Sequence, residues 1–326
     1  MVMLSRRFFG FTALGVVSLI AMPVSAQSST AGTPVKVVAS FSILADMVRN
    51  VGGDRVAVSA LVGPDGDAHV FQPTPADVKT LADAKVVFVN GLGFEGWIER
   101  LVGSAAYKGP VVVATSGIQA QEMAHEDEKG GHAHGKDAKK EAKRDDHDHD
   151  AFDPHAWQDL RNGQVYVDNI LSGLIKADPA GEATYKANAA AYKTKLQALD
   201  AWVKAELGGV PKARRKVITS HDAFGYFASA YGVTFLAPVG LSTDAEPSAK
   251  GVASLIRQVK KEKVTALFVE NITNPKLIEQ IGRETRVKPG GRLFSDALSK
   301  AGGPAASYLD MFRHNVAQLK AAMSGS

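Results

Sequence analysis

The sequence predicts an α/β protein of two similar Rossmann-like lobes with mostly parallel sheets, joined by one long linking helix. Short runs of apolar, often β-branched residues alternate with segments of helical periodicity, and this alternation occurs twice along the chain. Strands that are apolar throughout belong to sheets covered on both faces, as parallel sheets are. With 326 residues, 45% of them hydrophobic, the chain is long enough to bury two cores.

The first lobe is predicted over residues 27–180. Its apolar runs follow one another at intervals that leave room for a helix between successive strands. A further helix is expected after the sequence DPHAW at 153–157. The predicted strands are 36–39, 56–62, 86–89 and 111–114, and the other predicted helices are 43–51, 74–82 and 94–102.

One long helix is predicted over residues 181–210, and the second lobe over 211–326. From Gly181 to Leu207 the chain is rich in alanine, lacks interior glycine and proline, and has apolar residues at helical spacing. The second lobe repeats the pattern of the first. Its predicted strands are 216–219, 233–236, 266–269 and 292–294, and its predicted helices are 223–230, 248–261 and 275–284.

The first 26 residues are predicted to be a cleaved export signal. Arg6 and Arg7 precede an apolar run at 8–22, and small residues at 24–26 form a cleavage site. The run is too short for a membrane-spanning helix, and the paired arginines fit Sec and twin-arginine export equally. No cysteine follows the cleavage site to carry a lipid, so a protein free in the periplasm is expected.

Two features of the composition narrow the chemistry. The sequence contains no cysteine, so any metal must be held by histidine and carboxylate. Removal of Arg6 and Arg7 with the signal takes two of the 38 basic residues and lowers the formal net charge from +4 to +2. That charge balance is too even for a nucleic-acid partner.

Residues 125–150 are predicted to form a disordered loop. The segment contains no Val, Ile, Leu, Phe, Tyr or Trp, so it cannot bury enough apolar area to offset an ordering cost of roughly 1–2 kcal/mol per residue. Aspartates beside its histidines would enrich cations locally. We expect weak, transient metal binding by the loop, which would act as a zinc collector, a sensor of excess metal or a contact for a donor protein, with a solvated tether as the alternative. Its histidines are His125, His132, His134, His147 and His149.

The other histidines, apart from His314, fall at predicted strand ends and helix starts. His69 lies in a loop after a strand, and His221 lies where a strand meets a helix. His155 comes just before a helix, and Asp296 follows the last strand. Because the carboxyl ends of parallel strands carry ligand-binding loops, these four side chains are candidate metal ligands.

Five motifs occur in order along the chain: GPDGDAH at 63–69, DPHAW at 153–157, SHDAFGY at 220–226, GLSTDAEPS at 240–248 and SDAL at 295–298. Together they resemble those of the metal-binding cluster of periplasmic solute-binding proteins that supply zinc or manganese ABC importers. The resemblance implies a metal bound between two lobes, a membrane permease of an ABC transporter as partner, and a long helix that limits hinge motion. The ligands that it implies are His69, His155, His221 and Asp296.

Zinc is the predicted metal. In proteins similar to this one, histidine at the third ligand position accompanies zinc and glutamate accompanies manganese; here the residue is His221. Imidazole suits zinc, whereas manganese favours oxygen donors. The predicted function is high-affinity capture of Zn²⁺ and its delivery to a permease, with a manganese-specific importer protein as the alternative. We expect a monomer, with a periplasmic metal donor protein as a further partner.

The cleft, and not the loop, is predicted to hold the metal tightly. Ordering about eight loop residues around a metal costs on the order of 10 kcal/mol, a cost that a site folded in advance avoids. Carboxylates near the histidines are expected to orient the rings, and the candidates are Asp153, Asp222 and Glu246. Because zinc needs neutral imidazoles, its binding is expected to weaken as the pH falls through about 6.5.

Three other functions fit the sequence less well. A hydrolytic zinc site needs a general base and an open coordination position, but no His-Glu-x-x-His occurs. The run HDHD at 147–150 lacks the last residues of a His-x-His-x-Asp-His motif, so no enzymatic activity is expected. A zinc chaperone or buffer that works without a permease is the second alternative, and a cell-surface adhesin is the third.

Overall fold

The computed structural model describes residues 33–122, 152–244, 247–262, 264 and 266–325, and every structural statement below concerns these residues. The predicted signal peptide at 1–26, the predicted loop at 125–150 and Glu246 lie outside them. Within the described ranges the chain forms two α/β lobes with parallel sheets. The predicted fold class is confirmed.

The first lobe is built on four parallel strands: β1 Val35–Phe41, β2 Val56–Val62, β3 Val86–Val89 and β4 Val111–Val113. Their order in the sheet is β2-β1-β3-β4, and β1 pairs with β2 from Val35 opposite Val56 onward. The valine-rich strand β3 is buried along its whole length, as a central strand covered on both faces must be. At the edge, Val111 and Val113 of β4 are exposed.

The second lobe repeats this arrangement with β5 Lys216–Ile218, β6 Thr234–Leu236, β7 Ala266–Glu270 and β8 Pro289–Leu293. The order β6-β5-β7-β8 matches that of the first sheet position for position. Strand β8 begins earlier than the predicted 292–294. Its first residue, Pro289, has no N–H to donate, which a strand at the edge of a sheet tolerates.

The helices of the described chain lie close to their predicted positions. Helix α2 begins where Thr74 and Asp77 form a capping box, each side chain accepting from the other residue's backbone N–H. The helices are α1 Ser42–Gly52, α2 Pro75–Ala82, α3 Ile98–Ser104, α4 Leu160–Ala177, α5 Glu182–Gly208, α6 Gly225–Tyr231, α7 Ala249–Glu262, α8 Lys276–Thr285 and α9 Tyr308–Ser324. None of them is long and apolar enough to cross a membrane.

Helix α3 starts four residues later than the predicted 94–102. The preceding segment is held as a turn by the buried carboxylate of Glu95, which accepts hydrogen bonds from the backbone N–H groups of Asn90 (2.6 Å) and Gly91 (3.1 Å). The Trp97 indole donates to the carbonyl of Ala68 at 2.7 Å. The apolar spacing resembles that of a helix because Phe94 and Trp97 are both core residues.

Helix α5 has 27 residues and follows the first lobe in the chain. It packs against α1 and α4 of the first lobe and against α9 at the end of the second. Buried residues recur along α5 at helical spacing and form one face of the helix. One apolar core extends from this face into both lobes. The buried residues of α5 are Tyr185, Ala189, Tyr192, Leu196, Leu199, Val203 and Leu207. This helix therefore braces the two lobes on one side.

Candidate metal centre

Three histidines and one aspartate come together at the seam between the lobes. Nε2 of His69 lies 3.2 Å and Nε2 of His221 lies 3.1 Å from the same oxygen, Oδ2 of Asp296. Nε2 of His155 lies 3.6 Å from the other oxygen, Oδ1. One candidate ligand atom from each of the four residues lies within 4.8 Å of all the others. Three imidazole nitrogens and a carboxylate oxygen at this spacing can enclose a divalent cation.

Each lobe contributes two of these side chains. His69 lies in the loop after β2, and His155 lies in the segment that leads into α4. His221 follows β5, and Asp296 follows β8. The ends of three strands, together with the segment that leads into α4, therefore bring the four residues together, and ligand sites in open parallel sheets are expected at such strand ends. Three of the four are fully buried, and the His69 side chain is only 4% exposed.

Residues of the first lobe fix the backbone on either side of Asp296. The carbonyl of Ser295 accepts hydrogen bonds from the Trp157 indole (3.0 Å) and from Nε2 of Gln158 (2.8 Å). The backbone N–H of Leu298 donates to the hydroxyl of Ser42 at 2.9 Å. Asp296 belongs to the second lobe by sequence, but its position is set by contacts across the seam.

An aromatic wall closes one side of the centre. The rings of Phe41, Phe94 and Trp157 pack against one another with centroids 4.8–4.9 Å apart. Phe94 packs edge-on against His69 at 4.8 Å, and Trp157 against His155 at 5.3 Å. This wall excludes water from that side and lowers the local dielectric, which strengthens attraction between the carboxylate and a cation.

The ring of His155 is oriented by the predicted carboxylate, Asp153. Oδ1 of Asp153 accepts hydrogen bonds from Nδ1 of the ring at 2.7 Å and from the backbone N–H of His155 at 2.9 Å. Because a carboxylate can only accept here, Nδ1 carries the proton of the neutral ring, and Nε2 then has a lone pair. That lone pair points into the cluster and is available to a metal.

The ring of His221 is oriented by Glu270. Oε2 of Glu270 lies 2.5 Å from Nδ1 of His221, and Oε1 accepts from the backbone N–H groups of Ser220 (2.7 Å) and His221 (2.9 Å). Asp222 is exposed, and its backbone N–H donates to Gly240. Within the described residues no hydrogen bond joins the Asp222 side chain to the ring of His221, so its orienting role stays a prediction, whereas Glu270 reaches the ring from the end of β7.

The third predicted carboxylate, Glu246, and the five loop histidines lie outside the described residues. His125, His132, His134, His147 and His149 therefore stay predictions. Glu270 was missed, although it stands at the carboxyl end of a predicted strand, the same signal that identified Asp296. His314, which was not a candidate, lies away from the centre and contacts the carbonyl of Arg292 at 2.9 Å.

Four atoms of the cluster are buried and form no hydrogen bond within the described part of the chain: Nε2 of His69, Nε2 of His155, Oδ1 of Asp296 and Nδ1 of His221, of which the last contacts Glu270 and the first three face one another. Buried polar atoms in folded proteins nearly always have a partner, and one without a partner calls for an explanation. A cation coordinated by the first three atoms supplies that explanation. The donor set thus fits a metal ion.

Carboxylates control the protonation of the cluster. Burial disfavours a charged His155, but the carboxylates of Asp296 and Asp153 outweigh burial and raise its pKa to about 9. Burial also disfavours a charged His221, but the carboxylates of Glu270 and Asp296 outweigh burial and raise the pKa of His221 well above its usual value. Burial alone would raise the pKa of Asp296, but the two histidines hold it well below its ordinary range. Without metal, protons occupy the place of the cation.

A cavity of about 790 Å³ opens beside the centre. Among the four candidate ligands, His69 is the one that lines it. The first lobe contributes Phe94 and Phe152 to its walls, and the second contributes Gly240 and Asp244. His69 is therefore the ligand nearest to solvent.

The profile of the family described as "ZnuA: Zinc-uptake complex component A periplasmic" matches residues 37–322. This chain belongs to that family. Membership makes it an exported metal-binding component of an ABC importer, which works with a membrane permease and an ATPase, and not an enzyme.

Relatives of this chain carry names that refer to manganese. The manganese-binding lipoprotein MntA of Halalkalibacterium halodurans is 32% identical over 304 residues, which cover 92% of this chain and 93% of that protein. The manganese ABC transporter substrate-binding lipoprotein ScaA of Streptococcus gordonii is 31% identical over 318 residues, covering 95% of this chain and 96% of that protein. The similarity therefore extends over nearly the whole length of both relatives.

Solved structures with the same fold include proteins described with different metals. The periplasmic zinc-binding protein TroA from Treponema pallidum has a TM-score of 0.78 and 29% identity, covering 89% of this chain and 99% of that one. A Mn-bound periplasmic metal-binding protein from Candidatus Liberibacter asiaticus has a TM-score of 0.74 and 27% identity, with the same coverage. The relatives therefore agree on metal binding but not on one metal.

Replacing Glu270 by glutamine tests its role against that of Asp222. In the Glu270→Gln variant an amide N–H faces Nδ1 of His221, so the ring proton moves to Nε2, the candidate ligand atom. Zinc affinity should fall roughly 10- to 100-fold, the range typical of such outer partners. Asp222→Asn is the matched control and should bind zinc as the unchanged protein does. Equal losses in a competition titration of both variants would contradict the assignment.

Metal binding should release about two protons at pH 7. His155 and His221 have raised pKa values and are protonated in the metal-free protein, and a bound metal displaces both protons. The apparent affinity should therefore rise with pH through neutrality and still be rising at about pH 9, the pKa of His155, instead of levelling off near 6.5 as expected from the sequence. Calorimetry in buffers of different ionisation enthalpy measures the protons released, and a value near zero would contradict the raised pKa values.

Proposed function

We propose that this protein captures Zn²⁺ in the periplasm and delivers it to the permease of its importer. The ligands in this proposal are His69, His155, His221 and Asp296. The observation that supports it is the convergence of three imidazole nitrogens and one carboxylate oxygen within 4.8 Å in a buried seam to which each lobe contributes two ligands.

The donor set favours zinc over manganese. Zinc takes four ligands in a tetrahedron and binds imidazole well, whereas manganese prefers oxygen donors and more of them. The four side chains supply three nitrogens and one carboxylate. The names of the relatives do not decide between the two metals, since MntA is called manganese-binding and TroA zinc-binding. The preference for zinc therefore depends on His221, the ligand that a manganese site would replace with an oxygen donor.

The loop at 125–150 is proposed to collect zinc weakly near the tight site. The residues on either side of it support a role in handover: Glu122 and Phe152 pair as an antiparallel bridge, and the backbone N–H of Asp153 donates to Gln121 at 2.9 Å. The described residues on either side of the segment therefore lie beside Asp153, the carboxylate that orients His155. A zinc buffer without a permease is the alternative, and zinc uptake by a strain lacking the protein distinguishes the two.

A competition titration of two proteins tests the assignment of the tight site. One protein lacks residues 125–150, and its matched control keeps the loop length but carries alanine at the five loop histidines. Both should bind one zinc ion as tightly as the full chain, and manganese at least 100-fold more weakly, about 2.7 kcal/mol. Loss of tight zinc binding in both would move the site to the loop, and preference for manganese would establish the alternative metal.

A further inference from the structure

The carboxylate of Asp153 is held between the two lobes. Its Oδ1 accepts the two hydrogen bonds from His155, at 2.7 and 2.9 Å. Its Oδ2 faces Gly225, the first residue of α6 in the other lobe, so closely that a Cβ at that position would lie 2.4 Å away. Real Cβ atoms do not approach an oxygen so closely. No side chain therefore fits at position 225 while Asp153 keeps its place.

The backbone of Gly225 does not explain why a glycine occupies this position. Its φ is not in the left-handed region, unlike that of Gly232 at the end of the same helix, where φ is +70°. Glycine is also a weaker helix former than alanine. Glycine is used elsewhere in proteins where another group must come close to the backbone. Here that group is the Asp153 carboxylate.

We propose that Gly225 is a positioning residue for the metal centre: it lets the second lobe close onto Asp153 and so sets the orientation of the His155 ring. The inference rests on the proposed function, metal binding by the four ligands. A carboxylate is a rigid plane, so displacing Oδ2 from Gly225 also turns Oδ1 away from Nδ1 of His155. The ring then loses the partner that fixes its orientation in the metal centre.

The other oriented ring does not depend on the lobe contact in this way. His221 is held by Glu270, whose second oxygen accepts from the backbone of Ser220 and His221 in the same lobe. His155 is held by Asp153, whose second oxygen meets Gly225 of the opposite lobe. When the lobes separate, His221 keeps its orientation. By contrast, Asp153, the carboxylate that orients His155, loses its contact with Gly225. Metal affinity therefore depends on lobe contact through His155.

A double-mutant cycle tests this coupling. The variants are Gly225→Ala, Asp153→Ala and the two together, and the control is Gly103→Ala, where an added Cβ meets nothing within 4 Å. Zinc affinity is measured by competition, and folding by thermal unfolding of the metal-free proteins. Gly225→Ala should weaken zinc roughly 10- to 100-fold, as loss of an orienting partner does. The double variant should bind no more weakly than Asp153→Ala alone, because the obstructed oxygen is gone.

Each outcome of the cycle decides the question. Unchanged affinity in Gly225→Ala, or additive losses in the double variant, would overturn the proposal, since a merely structural defect adds to the loss at Asp153. If Gly225→Ala does not fold, recovery of folding in the double variant supports the proposal. Failure of both to fold overturns it, because the methyl group then clashes with something else. Absence of tight zinc binding in the unchanged protein would instead contradict the proposed function.

Discussion

The metal centre depends on the interaction between the buried carboxylate of Asp296 and the three histidines. This carboxylate lies 3.1–3.6 Å from Nε2 of three histidines and is fully buried. An unpaired carboxylate in such a place is very unfavourable, so the site must hold positive charge at all times. Protons on His155 and His221 supply that charge in the metal-free protein, and a divalent cation replaces them. Binding is therefore an exchange of protons for metal, and acidity favours release.

The two lobes do not contribute equally to the geometry of the site. The second lobe fixes His221 through Glu270 without help from the first. By contrast, the backbone around Asp296 is held by Trp157 and Gln158 of the first lobe, and the Asp153 carboxylate that orients the ring of His155 lies against a glycine of the second. A change in the contact between lobes therefore acts on part of the ligand set. The long helix α5 braces the two lobes away from the metal centre. Small movements of the lobes at the seam are therefore the movements that change the positions of the ligands.

Much of the fold and of the ligand set could be predicted because both follow from local patterns. Strands such as β2 and β3 are uninterrupted apolar runs, and His221 and Asp296 stand where predicted strands end. Tertiary contacts decided the rest. Proximity in the chain favours Asp222 as the carboxylate that orients His221. The side chain that reaches the ring is instead Glu270 of the neighbouring strand. The closeness of Gly225 to Asp153 depends on how the lobes meet, for which a single sequence contains no signal.

Anomalous diffraction from crystals of the zinc-loaded full chain, collected on both sides of the zinc absorption edge, locates the metal and its ligands. One strong peak is expected at the seam, bonded to Nε2 of His69, His155 and His221 and to an oxygen of Asp296, at about 2.0–2.2 Å from each. A seam without a peak, with zinc bound by other side chains, would contradict the proposed metal centre.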